Sequence, residues 1–345
     1  MQDKEINSIF APINCIGQIM DIVACTDTNY VMPCGVMLYS VCKNNKDLAI
    51  TFHIIIDQSI DEEQKESLKN IIIHFKHSKK SIVFYNIDGE KYQDLPRLDN
   101  SNPKNYITKA AYYILYIPEL LPTDIDKVLY LDCDIIVRHS LENLWNIDLK
   151  NKSVAVVPDV AEGLIDKYNR LRYPQVNGYF NSGVVLISLK KWRHKKILSD
   201  FTSFINKHPD WIKLHDQDVL NRAFYDDKLI LPIKYNFQEG FLWKEIFYDY
   251  WKYEKEVLEA RKDPVIIHYT DSKPWKKGCD HPWKDVFFNY QKETEWADMP
   301  IIYDKPNISL INRTKNSIRK IFEKIGIMKP YSAYPSKYIE ITKIS

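Results

Sequence analysis

Apolar runs that end at polar clusters recur along most of the chain. Ile19, Met20, Ile22, Val23 and Ala24 make a nearly continuous apolar run from Gln18 to Cys25, the pattern of a strand buried on both faces, and Thr26-Asp27-Thr28-Asn29-Tyr30 breaks it. A helix opening near Pro33 is predicted over 31–43, and a second strand over 49–56 ends at Asp57. Asp61-Glu62-Glu63 is the acidic start of a helix expected to reach about Lys76, with a third strand over 81–85. Further on, the pattern predicts a helix over 110–121 closed by Pro122, strands over 127–131, 153–157 and 183–188, a helix over 191–207, and a last strand over 265–267 ending at His268. Strands alternating with helices through about residue 270 predict an α/β fold with a mostly parallel sheet, in which ligands gather at the carboxyl ends of strands.

Beyond Lys292 the rhythm is lost. Residues 307–345 carry eight basic side chains against two acidic ones, interleaved with Ile308, Ile311, Ile318, Ile321, Phe322, Ile325 and Ile327. This reads either as a basic amphipathic helix on an anionic membrane surface or as a solvated helix packed on the main domain. The expected division is therefore a domain over 19–292 and a basic C-terminal segment over 293–345.

Composition narrows the class. The chain has 345 residues, 45% hydrophobic and 27% charged, with only 9 glycines, so it has material for a sizeable core and none of the bias of disordered or glycine-rich repeat proteins. A net charge of +2 argues against a nucleic-acid partner held by a wholly basic surface. No apolar stretch is long enough to span a bilayer, and Met1 to Phe10 carries no readable secretory signal, so the expected location is cytoplasmic, with peripheral contact to the inner membrane face through the tail. Six cysteines without a C-x-x-C pair are expected to be reduced thiols.

Several polar clusters suggest chemistry. Asp132-x-Asp134 follows the apolar run Val128-Leu129-Tyr130-Leu131, and two carboxylates spaced this way can converge on Mg²⁺ or Mn²⁺ together with phosphate oxygens of a substrate, although such a pair also serves as a turn. His268 ends another strand and is a candidate third ligand. Lys273, beside Pro274 and Trp275, could neutralise a diphosphate or lie on the surface. Asp216-Gln217-Asp218 opens a helix: aspartates there commonly cap, whereas Gln217 suits a sugar hydroxyl or a developing positive charge. Asn181, in Tyr179-Phe180-Asn181-Ser182-Gly183, offers both donor and acceptor beside a glycine that admits close backbone approach.

In this order, Asp21-Ile-Val-Ala-Cys-Thr-Asp27-Thr-Asn29-Tyr30, Lys127-Val-Leu-Tyr-Leu-Asp132-Cys-Asp134, Phe180-Asn181-Ser-Gly183, Lys190-Lys-Trp-Arg193, Asp216-Gln217-Asp218, His268-Tyr269 and Lys273-Pro274-Trp275, the chain resembles glycosyltransferase family 8. The resemblance is strongest to bacterial lipopolysaccharide galactosyl- and glucosyltransferases and covers roughly residues 19–290. It implies a GT-A fold with a Rossmann-like sheet, and transfer of galactose or glucose from a UDP-hexose, with retention, to a glycan or glycolipid acceptor. It further implies that Cys25, Asp27, Asn29 and Tyr30 line the uridine pocket, with Cys133 also in the donor-binding set. Asp132, Asp134 and His268 would hold Mn²⁺, or Mg²⁺, against the diphosphate, and Lys273 would steady the leaving phosphate. Asn181, Asp216 and Gln217 would surround the transferred sugar, with Asp159 on its hydroxyls. In one departure, Ile114 stands where the family commonly carries an Arg toward the donor, with Lys109 five residues earlier as the alternative cation. Two other readings follow from the same residues: a UDP-sugar-binding homologue that has lost turnover, and a metal-dependent nucleotidyltransferase.

Overall fold

The computed structural model describes residues 19–75, 79–87, 109–300, 337–339 and 344, so the basic segment over 307–345 lies almost wholly outside the described residues. The first third is two strand-helix-strand turns: β1 (Met20–Thr26), α1 (Val31–Asn44), β2 (Ile50–Ile56), α2 (Glu62–Ile73) and β3 (Lys80–Asn86). Asp61 caps α2, its carboxylate accepting from the Gln64 N–H while the Gln64 side chain accepts from Asp61 N–H. The helix expected over 110–121 is instead a 3₁₀ helix, Lys109–Tyr116, followed by a single α turn, α3 (Ile117–Leu120), because Pro118 admits only the start of a helix there.

β4 (Lys127–Leu131), β5 (Ile135–Val137), α4 (Glu142–Trp145), β6 (Val154–Pro158), α5 (Asp166–Leu171) and β7 (Phe180–Ser188) follow. The predicted helix over 191–207 is two, α6 (Leu189–His194) and α7 (Ile197–Lys207), since Lys196 takes the left-handed conformation at φ 51° and interrupts the axis. The chain then builds α8 (His215–Phe224), β8 (Lys228–Ile230), β9 (Phe237–Gln238), α9 (Tyr250–Lys262), β10 (Ile266–His268) and α10 (Lys284–Gln291).

Seven strands form one sheet in the order β3-β2-β1-β4-β7-β6-β8, and β5-β10-β9 form a second, smaller one. The pairs β1–β2, β2–β3, β1–β4 and β6–β8 are parallel, while β7 runs antiparallel to both β4 and β6. Both faces of the large sheet are covered. On one, α1 and α2 bury Val36, Met37, Leu38, Leu68 and Ile71; on the other, α6 to α8 bury Trp192, Phe201 and Phe224. Arg193, from the Lys190-Lys-Trp-Arg motif, clasps the turn after α3 by donating to the carbonyls of Pro118, Leu121, Pro122, Thr123 and Ile125. Cys25, Cys34, Cys42, Cys133 and Cys279 are unpaired thiols, as expected. No described helix is long and apolar enough to cross a membrane.

Because β7 is antiparallel to β4, its amino-terminal end lies beside the carboxyl end of β4, and the Asp132 N–H donates to the Gly183 carbonyl at 2.8 Å. This junction places Asn181 and Gly183 next to the Asp132-x-Asp134 turn. β10, antiparallel to β5, then brings His268 opposite Ile135, one residue beyond Asp134.

Candidate active site

One carboxylate oxygen each from Asp132 and Asp134 and one nitrogen of His268 all lie within 4.8 Å of one another, the one such group of potential metal ligands among the described residues. His268 Nε2 is 3.2 Å from Asp134 Oδ1 and 3.7 Å from Asp132 Oδ2. Asp134 and His268 are buried, whereas the Asp132 side chain is 34% exposed, so the cluster has one open side. Gly183 makes room for it: a Cβ there would fall 2.2 Å from His268 Cε1 and 2.7 Å from Asp132 Oδ2. Two carboxylates and an imidazole are a donor set that fits a hard divalent cation such as Mn²⁺ or Mg²⁺.

The two carboxylates are electrostatically unlike. Burial, then the charge of Asp134, raises the Asp132 carboxyl. Burial acts the same way on Asp134, but the charges of Lys273 and His268 outweigh it and hold that carboxyl well below the usual carboxylate range. The ammonium of Lys273 reaches Asp134 Oδ2 and donates to the Tyr269 and Thr270 carbonyls. It is held at the cluster on the loop that follows β10.

Beside this cluster, Asn181 and Gln217 are buried and bonded, Asn181 Nδ2 donating to Gln217 Oε1 at 3.0 Å. Gln217 donates in turn to Asp159 at 3.2 Å, and Asp159 is paired with Lys167 at 2.8 Å. Asp216 is half-buried, and burial followed by the charge of Asp132 pushes its carboxyl well up. Asn181 and Gly183 sit inside β7, which begins three residues earlier than expected, rather than in a turn ahead of it. Asp218, third in the motif, faces away: it is fully buried and accepts from Arg170, Tyr179 and the backbone N–H groups of Lys213 and Leu214, which anchors the start of α8.

The donor-pocket residues divide. Asp27 directly follows β1 and accepts from the Asn29 N–H at 2.9 Å, and Tyr30 meets Trp275 edge to face with ring centres 5.9 Å apart. Burial raises the Tyr30 hydroxyl, with the charge of Lys273 opposing it. Cys25 and Cys133 are buried, and Cys133 Sγ donates to the Cys25 carbonyl at 3.3 Å, so that thiol joins two backbone segments. Ile114 is fully buried in the apolar cluster that contains Val23, Ile55 and Val185, while Lys109 is exposed.

Sequence reasoning missed two buried residues here. Asn236 bridges His268 Nδ1, at 2.9 Å, and Asn181 Oδ1, at 2.8 Å. Glu239 accepts from the Ser272 N–H at 2.6 Å and so holds the loop that carries Lys273. Asn236 and Glu239 flank Phe237-Gln238 among buried apolar residues, a stretch too short to carry a periodic signal.

The profile of Glycosyl transferase family 8 matches residues 21–279. General stress protein A of Bacillus subtilis (strain 168) is 32% identical over 81% of this chain and 95% of its own length. Lipopolysaccharide glucosyltransferase WaaO of Escherichia coli (strain K12) is 30% identical over 94% of this chain and 91% of its own. The crystal structure of the galactosyltransferase LgtC, in complex with donor and acceptor sugar analogs, superposes with a TM-score of 0.70 at 27% identity, covering 80% of this chain and 96% of that one. Its likeness gives the large mixed sheet with flanking helices as a GT-A fold. With a profile match across most of its length and relatives at this level of identity, the chain belongs to glycosyltransferase family 8.

Proposed function

We propose that this protein is a retaining hexosyltransferase that moves galactose or glucose from a UDP-hexose to a saccharide acceptor, of the lipopolysaccharide or other surface-glycan class, with Mn²⁺ or Mg²⁺. The observation that carries this reading is the convergence of Asp132, Asp134 and His268 within 4.8 Å at the strand ends, with the Lys273 ammonium held against them. Transfer from a nucleotide diphosphate needs negative charge on the departing phosphate to be neutralised as the anomeric carbon loses its bond, and a bound divalent cation supplies that Lewis-acid chemistry. Asp132, Asp134 and His268 would hold the cation, and Lys273 would carry a second positive charge to the leaving diphosphate.

The remaining roles belong to the residues around these. Asp27, Asn29 and Tyr30 would bind the uridine, with Cys25 and Cys133 contributing through backbone rather than thiol. Asn181, Asp216 and Gln217 would meet the sugar, with Asp159 behind them and Gln217 near the anomeric carbon. Retention is assigned to attack on the face that the UDP leaves, with the departing phosphate taking the acceptor proton. Residues 19–292 would form the catalytic unit, and the basic residues of 307–345 would draw it to anionic lipid beside its acceptor.

UDP release from a panel of UDP-hexoses, with and without Mn²⁺, for the wild type and Asp134→Ala tests the reading. Metal-dependent release from one donor, lost in the variant, is the expected result. Ile114, at the position of the family's Arg, favours a second reading, a donor-binding homologue without turnover. Binding of UDP-sugar with no release, in the presence of acceptor glycans, would select it.

A further inference from the structure

Asn236 is fully buried just ahead of β9 and touches the candidate metal ligand on one side and the candidate sugar-binding residues on the other. We propose that Asn236 is a positioning residue: it fixes which nitrogen of His268 is presented to the cation and ties that choice to Asn181 and Gln217. The inference rests on the metal and sugar roles proposed above.

The argument is one of donors and acceptors. The Gly183 N–H can only donate, so the atom of Asn181 that it meets at 3.0 Å is the amide oxygen. That oxygen also faces Asn236 at 2.8 Å, so Asn236 turns its NH₂ toward Asn181. Its own oxygen then faces His268 Nδ1 at 2.9 Å, and a ring nitrogen meeting an oxygen at that distance carries the hydrogen. With Nδ1 committed to Asn236, Nε2, the atom that faces Asp134 and Asp132, is the nitrogen left to ligate a cation.

The far end of the chain of bonds is fixed independently. The Ser182 N–H donates to Gln217 Oε1 at 3.2 Å, which turns the Gln217 NH₂ toward the Asp159 carboxylate. Three amides and one imidazole thus share a single polarity, running from His268 to Asp159 and anchored by two backbone N–H groups. Flipping Asn236 would set oxygen against oxygen at Asn181. Bonds that fix the tautomer and tilt of a ligating histidine are worth about 10- to 100-fold in metal affinity.

The test uses the full chain and Mn²⁺ binding in the presence of UDP, read by electron paramagnetic resonance, beside ¹⁵N spectra of the histidine-labelled protein with Mg²⁺ and UDP. In that complex the His268 ring, assigned by its loss in His268→Gln, is expected to carry its proton on Nδ1. Asn236→Ala is expected to weaken Mn²⁺ binding about 10- to 100-fold. Asn236→Asp keeps an oxygen on Nδ1 but opposes Asn181 with a second one, so it should retain most of the metal affinity while kcat falls. Absence of a proton on Nδ1 in the Mg²⁺ complex, or wild-type Mn²⁺ binding by folded Asn236→Ala, overturns the proposal. If Asn236→Ala does not fold, wild-type kcat in Asn236→Asp overturns the link to Asn181. Asp134→Ala separates the two levels: should it too bind Mn²⁺ as the wild type does, the metal reading itself has failed.

Discussion

The Lys273 ammonium and one oxygen of the Asp134 carboxylate are in direct contact, while the other oxygen of Asp134 faces His268 Nε2 at 3.2 Å. A divalent cation taken up by this cluster therefore shares Asp134 with a positive charge already in place. A donor diphosphate that draws Lys273 toward itself would free that carboxylate, so nucleotide and metal should bind with positive coupling.

Lys273→Met tests the coupling. Removing the competing charge should strengthen Mn²⁺ binding to the nucleotide-free chain and weaken UDP binding. The effect of UDP on Mn²⁺ affinity, on the order of 5- to 150-fold for coupled sites, should shrink toward unity. Calorimetric titration of Mn²⁺ with and without UDP measures all three; unchanged coupling in the variant would exclude Lys273 as its carrier.

Gly183→Ala should fold and bind metal poorly. The added methyl meets the His268 ring and the Asp132 carboxylate, and overpacking of this kind costs about 1–3 kcal/mol. Denaturant unfolding should register that loss together with a drop in Mn²⁺ affinity. Wild-type affinity would mean that His268 and Asp132 move aside without consequence.

Arg170 and Asp218 form a two-point pair, at 2.7 and 3.1 Å, beneath the start of α8, and Asp218 has no exposure at all. Arg170→Met leaves that carboxylate buried without its cation, which should cost about 3–5 kcal/mol. Arg170→Met with Asp218→Asn should recover part of the loss, measured as unfolding free energy for the single and double variants.

His281 should make the fold acid-sensitive. Burial, opposed by Glu239, lowers its pKa from 6.5 to about 4, and the ring accepts from the Trp283 N–H at 3.0 Å, as a neutral imidazole does. The unfolded chain therefore takes up a proton that the folded chain refuses. The contribution of His281 to stability is whole above pH 6.5 and declines as pH falls toward 4, by about 1.4 kcal/mol per unit. Unfolding curves at pH 7 and pH 5 should show this slope in the wild type and a flatter one in His281→Gln.

Ile114→Arg should destabilise rather than complete the site. The position is fully buried in the core, and a guanidinium there would lack a partner. A gain in UDP-sugar turnover with unchanged melting temperature would show that the side chain reaches the cleft.

The strands β1, β2 and β4 were legible because a strand buried on both faces reads as an unbroken apolar run, and the polar cluster closing each run marked the cleft. Asp132, Asp134 and His268 stood out as strand-end candidates, while their grouping with one another and with Asn181 and Gln217 came from the order of motifs shared with the family. Asn236 did not stand out, because β9 is two residues long and too short for a period to show. An isolated asparagine also reads as a turn residue until its partners, 32 and 55 positions away, are placed against it. The break between α6 and α7 was equally hidden, since Lys196 is an ordinary helix former whose left-handed backbone is imposed from outside.

The antiparallel pairing of β4 with β7 also acts as a ruler. From Lys127↔Ser188 to Leu131↔Val184 the two strands run in strict register, and the next backbone bond joins Asp132 to Gly183. One residue inserted within either run would shift the junction by about 3.3 Å and turn Asn181 to the opposite face of the sheet. Descendants of this sequence can therefore exchange side chains along the two five-residue intervals that meet at the site, but must keep their count.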